Sequence, residues 1–77
     1  MALVVSFSQC KKENQKPHDP VESTYSWFTG SDGRKYFQLD TFGRANRKIP
    51  GKVSQTLQFD EASGRALKKL LEEVFPD

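Results

Sequence analysis

The chain carries little with which to do covalent or metal chemistry. Its single cysteine, Cys10, cannot close an internal disulfide. Its single histidine, His18, leaves no zinc site of familiar spacing within one chain. Long apolar runs are missing as well. Residues 2–7, ALVVSF, are too few to span a bilayer, and they lack the preceding basic region and cleavage site of a signal peptide. These scarcities predict a reducing, cytoplasmic setting. No Ser/His/Asp or Cys/His arrangement is evident, and no loop has the glycine and lysine spacing that cradles phosphates. Glu72 and Glu73 lie beside Lys68 and Lys69 and read as a solvated helical face. His18, between Pro17 and Asp19, reads as a solvated linker residue. Cys10, beside Lys11 and Lys12 in a linker-like stretch, reads as a free thiol. The expectation is a chain that is not an enzyme, with no catalytic residue, cofactor or metal ligand.

Charge is present, and it is unevenly placed. The net value is only +2. Residues 1–22 balance three positive against three negative side chains, residues 23–59 hold six against two, and residues 60–77 hold three against five. The densest basic stretch is Gly43–Lys52, GRANRKIPGK, with Arg44, Arg47, Lys48 and Lys52 and no acid. It joins two strand-like runs, so an exposed connection is expected. Ile49-Pro50-Gly51-Lys52 carries the Pro-Gly signal of a type II turn.

Seventy-seven residues make one domain at most, and a chain of that size buries only about 60% of its unfolded surface. Ala2–Ser8 is β-prone, either an extra edge strand or a tail that orders on a partner. Gln9–Ser23, with Pro17 and Pro20 and little to bury, reads as a linker. Residues 1–22 are therefore set apart from a domain over 23–77.

Thr24–Thr29 and Arg34–Phe42 are rich in aromatic and β-branched residues and flank the turn Gly30–Gly33, so they predict a hairpin. A three-residue loop with Gly33 at positive φ sets Trp27 opposite Phe37 and Tyr25 opposite Leu39, with Phe28 and Tyr36 on the other face. A two- or four-residue loop instead pairs Trp27 with Tyr36. The first register is favoured because it gathers the larger apolar set on one side. Val53–Phe59 is the third strand. Val53, Leu57 and Phe59 share a face with Gln55, opposite the polar Ser54, Thr56 and Gln58. Asp60 is a good N-cap. Ala66, Leu67, Leu70, Leu71 and Val74 form one apolar helical stripe, Glu61 and Arg65 make an i,i+4 pair, and Pro76 ends the helix. Gly64 weakens the helix unless it permits close approach to the sheet. The fold predicted is α+β: an antiparallel three- to four-stranded sheet, β-β-β-α with Ala2–Ser8 as the optional extra strand, covered on one face by the C-terminal helix. Burying more surface in a dimer suits so small a core.

The face left uncovered then shows Phe28, Tyr36, Gln38, Phe42, Ser54, Thr56 and Gln58, beside Arg34 and the basic connection. Stacking platforms next to phosphate-neutralising cations are what a single nucleic-acid strand needs.

From Arg34 onwards, RKYFQLDTF…RKIPGKVSQTLQFDEASGRALKKLLEEV resembles the single-stranded-DNA-binding transcriptional coactivators of the positive-cofactor-four type, over roughly residues 23–75. Phe28 matches the aromatic ending the first strand, Arg34 and Lys35 the basic residues after the turn, Phe37 and Leu39 the inward pair, and Lys48, Pro50, Gly51 and Lys52 the loop. The resemblance implies a homodimer pairing through its helices and presenting curved sheets to melted DNA. Gln38 and Asp40 depart from it, standing where the family tends to carry basic charge. A weaker likeness, to the arm-binding domains of phage integrases and the plant ethylene-response-factor domain, implies a sheet laid in the major groove of duplex DNA. The expected nucleic-acid contacts are Phe28, Arg34, Lys35, Tyr36, Gln38, Phe42, Arg44, Arg47, Lys48 and Lys52. Single-stranded DNA stands ahead of duplex as partner, and no membrane is expected. The alternative is a protein-interaction or regulatory module without a nucleic-acid ligand.

Overall fold

A computed structural model of the chain describes residues 1–43 and 52–77. It is α+β: β1 (Ala2–Val4), β2 (Ser23–Thr29), β3 (Lys35–Phe42), β4 (Val53–Phe59) and α1 (Glu61–Val74). The strands form one sheet in the order β1-β4-β3-β2. Arg44, Arg47, Lys48 and the Pro50-Gly51 turn lie outside the described residues.

The hairpin takes the register that gathers the apolar side chains. Trp27 lies opposite Phe37, Tyr25 opposite Leu39 and Phe28 opposite Tyr36. Its loop closes with Gly33 at φ 78°, and the Gly33 amide donates to the Gly30 carbonyl at 3.0 Å. A Cβ on Gly30 would lie 2.9 Å from both Tyr36 Cε2 and Asp32 Oδ1, so glycine is needed there for room.

Two features differ from the alternating pattern. First, β1 runs parallel to β4, with Val4 beside Phe59, which makes the sheet mixed rather than wholly antiparallel. A parallel neighbour cannot be joined by a tight turn; residues 5–22 carry the chain from β1 at one edge to β2 at the other, and β2 and β3 precede β4. Second, a register shift at Thr41/Phe42 sets Phe42 opposite Val53 while Thr41 still faces Gln55. The extra residue, Ser54, moves Val53 off the face of Leu57 and Phe59.

Helix α1 packs on the face of Phe37 and Phe59. Its start is fixed by a reciprocal cap: Ser63 N–H donates to Asp60 Oδ1 at 2.8 Å, and Asp60 N–H donates to Ser63 Oγ at 3.1 Å. Glu61 and Arg65 pair at 3.0 Å, both exposed. The helix ends where expected, the Phe75 amide reaching back to Leu71 O at 2.8 Å. Phe59 is the buried hydrophobic centre among the described residues, at 5% exposure, with Phe7 stacked on it at 6.4 Å. The helix covers only this end. Tyr25 and Trp27 remain 66% and 63% exposed, and Leu70, Leu71 and Val74 are exposed too. The burial expected for that stripe is therefore not made within one chain. Gly64 does not serve close packing either, since a Cβ there would meet nothing within 4 Å. Among the described residues no helix is long and apolar enough to cross a membrane.

Candidate nucleic-acid interface

Strand pairing sorts the candidate residues between two surfaces. Directly opposed residues point the same way, so Phe28 and Tyr36, Gln38 and Gln58, Asp40 and Thr56, and Phe42 with Val53 share the face turned away from α1.

The hairpin end of this face is an aromatic pair. The rings of Phe28 and Tyr36 stack with centroids 5.5 Å apart and planes at 25°. Tyr36 is anchored because its hydroxyl donates to Asp32 Oδ2, while Asp32 Oδ1 accepts from the Arg34 amide at 3.0 Å. These bonds, the tyrosine's first, hold the Asp32 carboxyl below its usual range. The same bond raises the Tyr36 phenol above its ordinary value. The turn sequence GSDG thus fixes a ring orientation as well as a reversal. That function of Asp32 was not foreseen; its signal is an Asp four residues before a Tyr across a tight loop.

The middle of the face is a polar ladder. Thr56 Oγ1 donates to Asp40 Oδ1 at 2.6 Å, Gln38 Nε2 donates to both Asp40 oxygens at 3.0 and 3.2 Å, and Gln58 Nε2 donates to Gln38 Oε1 at 2.9 Å. The Thr56 bond, followed by those from Gln38, lowers the Asp40 pKa. An ionised carboxylate therefore stands at the centre of the face, and the ladder makes Gln38 a supporting residue of that carboxylate.

Cations lie at the edges. Arg34 sits at the hairpin end between Asp32 and Asp60; hydrogen bonds from Tyr36 and from Ser63 respectively hold those carboxyls low, with the Arg34 charge a lesser cause. Lys35 is opposite Thr29 on the helix side of the sheet, where it lines a cleft with Trp27 and Phe37. The structure thus separates Lys35 from the aromatic face. Phe42 is half-buried at the far end, and Lys52 is exposed just before β4. The seven-residue run from Tyr36 to Phe42 puts these two ends about 20 Å apart. Among the described residues no cluster of His, Cys, Asp and Glu gathers to hold a metal.

Comparison with family models, with curated proteins and with solved structures finds no match for the chain.

Proposed function

We propose that the chain binds single-stranded nucleic acid without strong sequence preference, through the sheet face turned away from α1. The observation that carries the reading is the anchored Phe28–Tyr36 stack on that open face. Phe42 stands at the other end of the face, about 20 Å away, where the chain enters the connection that holds Arg44, Arg47, Lys48 and Lys52. Bases stack on the rings, a sequence-tolerant contact of about 1–3 kcal/mol per base, while the loop cations meet phosphates. Asp40 keeps phosphates off the middle, so the strand crosses it with bases inward. A role in transcription would follow from the likeness to the coactivators.

The active species is proposed to be a homodimer. The chain exposes 7306 Å², about one and a half times the roughly 4,800 Å² typical of a folded monomer of its mass. The exposed residues 5–22 account for part of that excess, and a second copy over the apolar groove between α1 and the sheet would cover part of the rest. The same groove also favours a second reading, a module that docks a protein partner there and has no oligonucleotide affinity.

Anisotropy of a labelled oligo-dT, against a duplex of equal length, separates these readings. Trp27 lies on the helix side, so its emission is not a direct reporter. Four phosphate contacts predict a salt slope near −0.7 per contact, about −3. Replacing Arg44, Arg47, Lys48 and Lys52 together by Ala should remove most of it; undiminished binding overturns the assignment.

A further inference from the structure

The two edges of the sheet are not alike. One is β1, three residues long, a short edge of the kind that discourages unwanted pairing. The other is β2, seven residues reading STYSWFT and exposed throughout. It has no charge, no proline, no glycine and no bulge, so among the described residues none of the usual protections of an open edge is present.

The outward backbone groups of β2 can be assigned. The Gly30 amide donates to Arg34 O at 2.8 Å, and the Phe42 amide donates to Glu22 O at 3.0 Å. These two bonded pairs bracket the hairpin. Because bonded and non-bonded pairs alternate in an antiparallel ladder, Thr24, Ser26 and Phe28 turn their amides and carbonyls towards β3. Ser23, Tyr25, Trp27 and Thr29 turn theirs away from the sheet. Four amides and four carbonyls thus line the free edge.

We infer that this edge pairs antiparallel with β2 of a second copy about a two-fold axis at Ser26. This register uses every outward group. Tyr25 pairs with the partner's Trp27, Ser23 with the partner's Thr29, and each pair exchanges two hydrogen bonds. The rings of Tyr25 and Trp27, already stacked at 6.2 Å, continue into the partner's pair across the seam. On the other face the two Ser26 side chains meet at the axis, where a small neutral residue fits. The contact is isologous and closes on itself, because the remaining edges are the short β1 strands. It joins two sheets into one of eight strands. It rests on the strand edge, is independent of the nucleic-acid reading, and is a different contact from the one proposed over the α1 groove.

The test is charge at residue 26. In the paired state the two positions are non-hydrogen-bonded neighbours about 4.5 Å apart, and like charges so placed are destabilising. Within one chain Ser26 is exposed, so Ser26→Lys and Ser26→Glu should leave the fold unchanged by circular dichroism. Each is expected to sediment at half the wild-type mass, an equimolar mixture should return to the wild-type mass, and Ser26→Thr should keep it. Amide exchange at Tyr25 and Trp27 should be slow in wild type and fast in Ser26→Lys. A Ser26→Lys protein that keeps the wild-type mass, or freely exchanging Tyr25 and Trp27 amides in wild type, overturns the inference. Absence of oligonucleotide binding would overturn the function proposed above and leave this result untouched.

Discussion

Asp32 and Tyr36 report one hydrogen bond from its two ends. The Asp32 carboxyl is lowered from 3.8 and the Tyr36 phenol raised from 10.0. A depressed acid adds stability above its unfolded pKa and loses it as pH falls through the folded value. A raised phenol adds stability below 10.0 and loses it as pH climbs through the folded value. Asp32→Asn is expected to bring the Tyr36 titration back towards the ordinary phenol range. Ultraviolet titration in a Tyr25→Phe background measures this, and an unchanged midpoint would show that the carboxylate does not hold the ring. At Asp40 the question is whether phosphate feels a charge in the middle of the face. A unit charge near the surface acts weakly through water, so Asp40→Asn should tighten oligonucleotide binding about two- to fivefold. No change in anisotropy titrations would place the backbone elsewhere.

Among the elements, α1 is the most legible in sequence and the least completed by its own chain. Its cap, its i,i+4 pair and its stop before Pro76 are local chemistry, so each could be read from neighbouring residues. Ser63 completes the cap although its position more often holds Glu or Gln. Ser63→Ala should cost about 1 kcal/mol in urea unfolding. Gly64→Ala should add about 1 kcal/mol, since the glycine weakens the helix and its Cβ space is empty. A destabilised Gly64→Ala protein would mean that a second copy comes close at that point. The Asp60 carboxyl is lowered from 3.8, chiefly by the Ser63 amide, so the cap should weaken as pH falls below that value. The strands were less legible. The hairpin register followed from the loop chemistry of Gly33, but the shift at Thr41/Phe42 has no signature in VSQTLQF. The parallel placement of β1 depends on pairing with β4, a strand separated from it by residues 5–52, which no local residue encodes.

For the whole molecule, surface is the deciding quantity. A groove of about 550 Å³ lined by Phe37, Phe59, Leu67, Leu71 and Phe75 stands open beside the helix. If a second copy covers it, Leu71→Glu places a charge in a drying interface and should weaken association about tenfold or more by sedimentation equilibrium. An unchanged constant would exclude the groove as that surface. The candidate interface shows the same dependence on long-range contacts. Phe28, Tyr36, Gln38 and Phe42 could be placed on one face by counting in twos. That Lys35 falls on the other face follows from the same counting once the register is known. That Arg34 lies between two carboxylates depends on where β4 ends and α1 begins.

The order of strands and helix, the hairpin turn and the helix cap were determined by the sequence, because each rests on residues within a few positions of one another. Tertiary structure decided which edge of the sheet stays open, how little of the apolar face the helix covers, and that Asp40 is built into a ladder at the centre of the other face. Those outcomes depend on closures between distant segments, whose geometry no short window of residues contains.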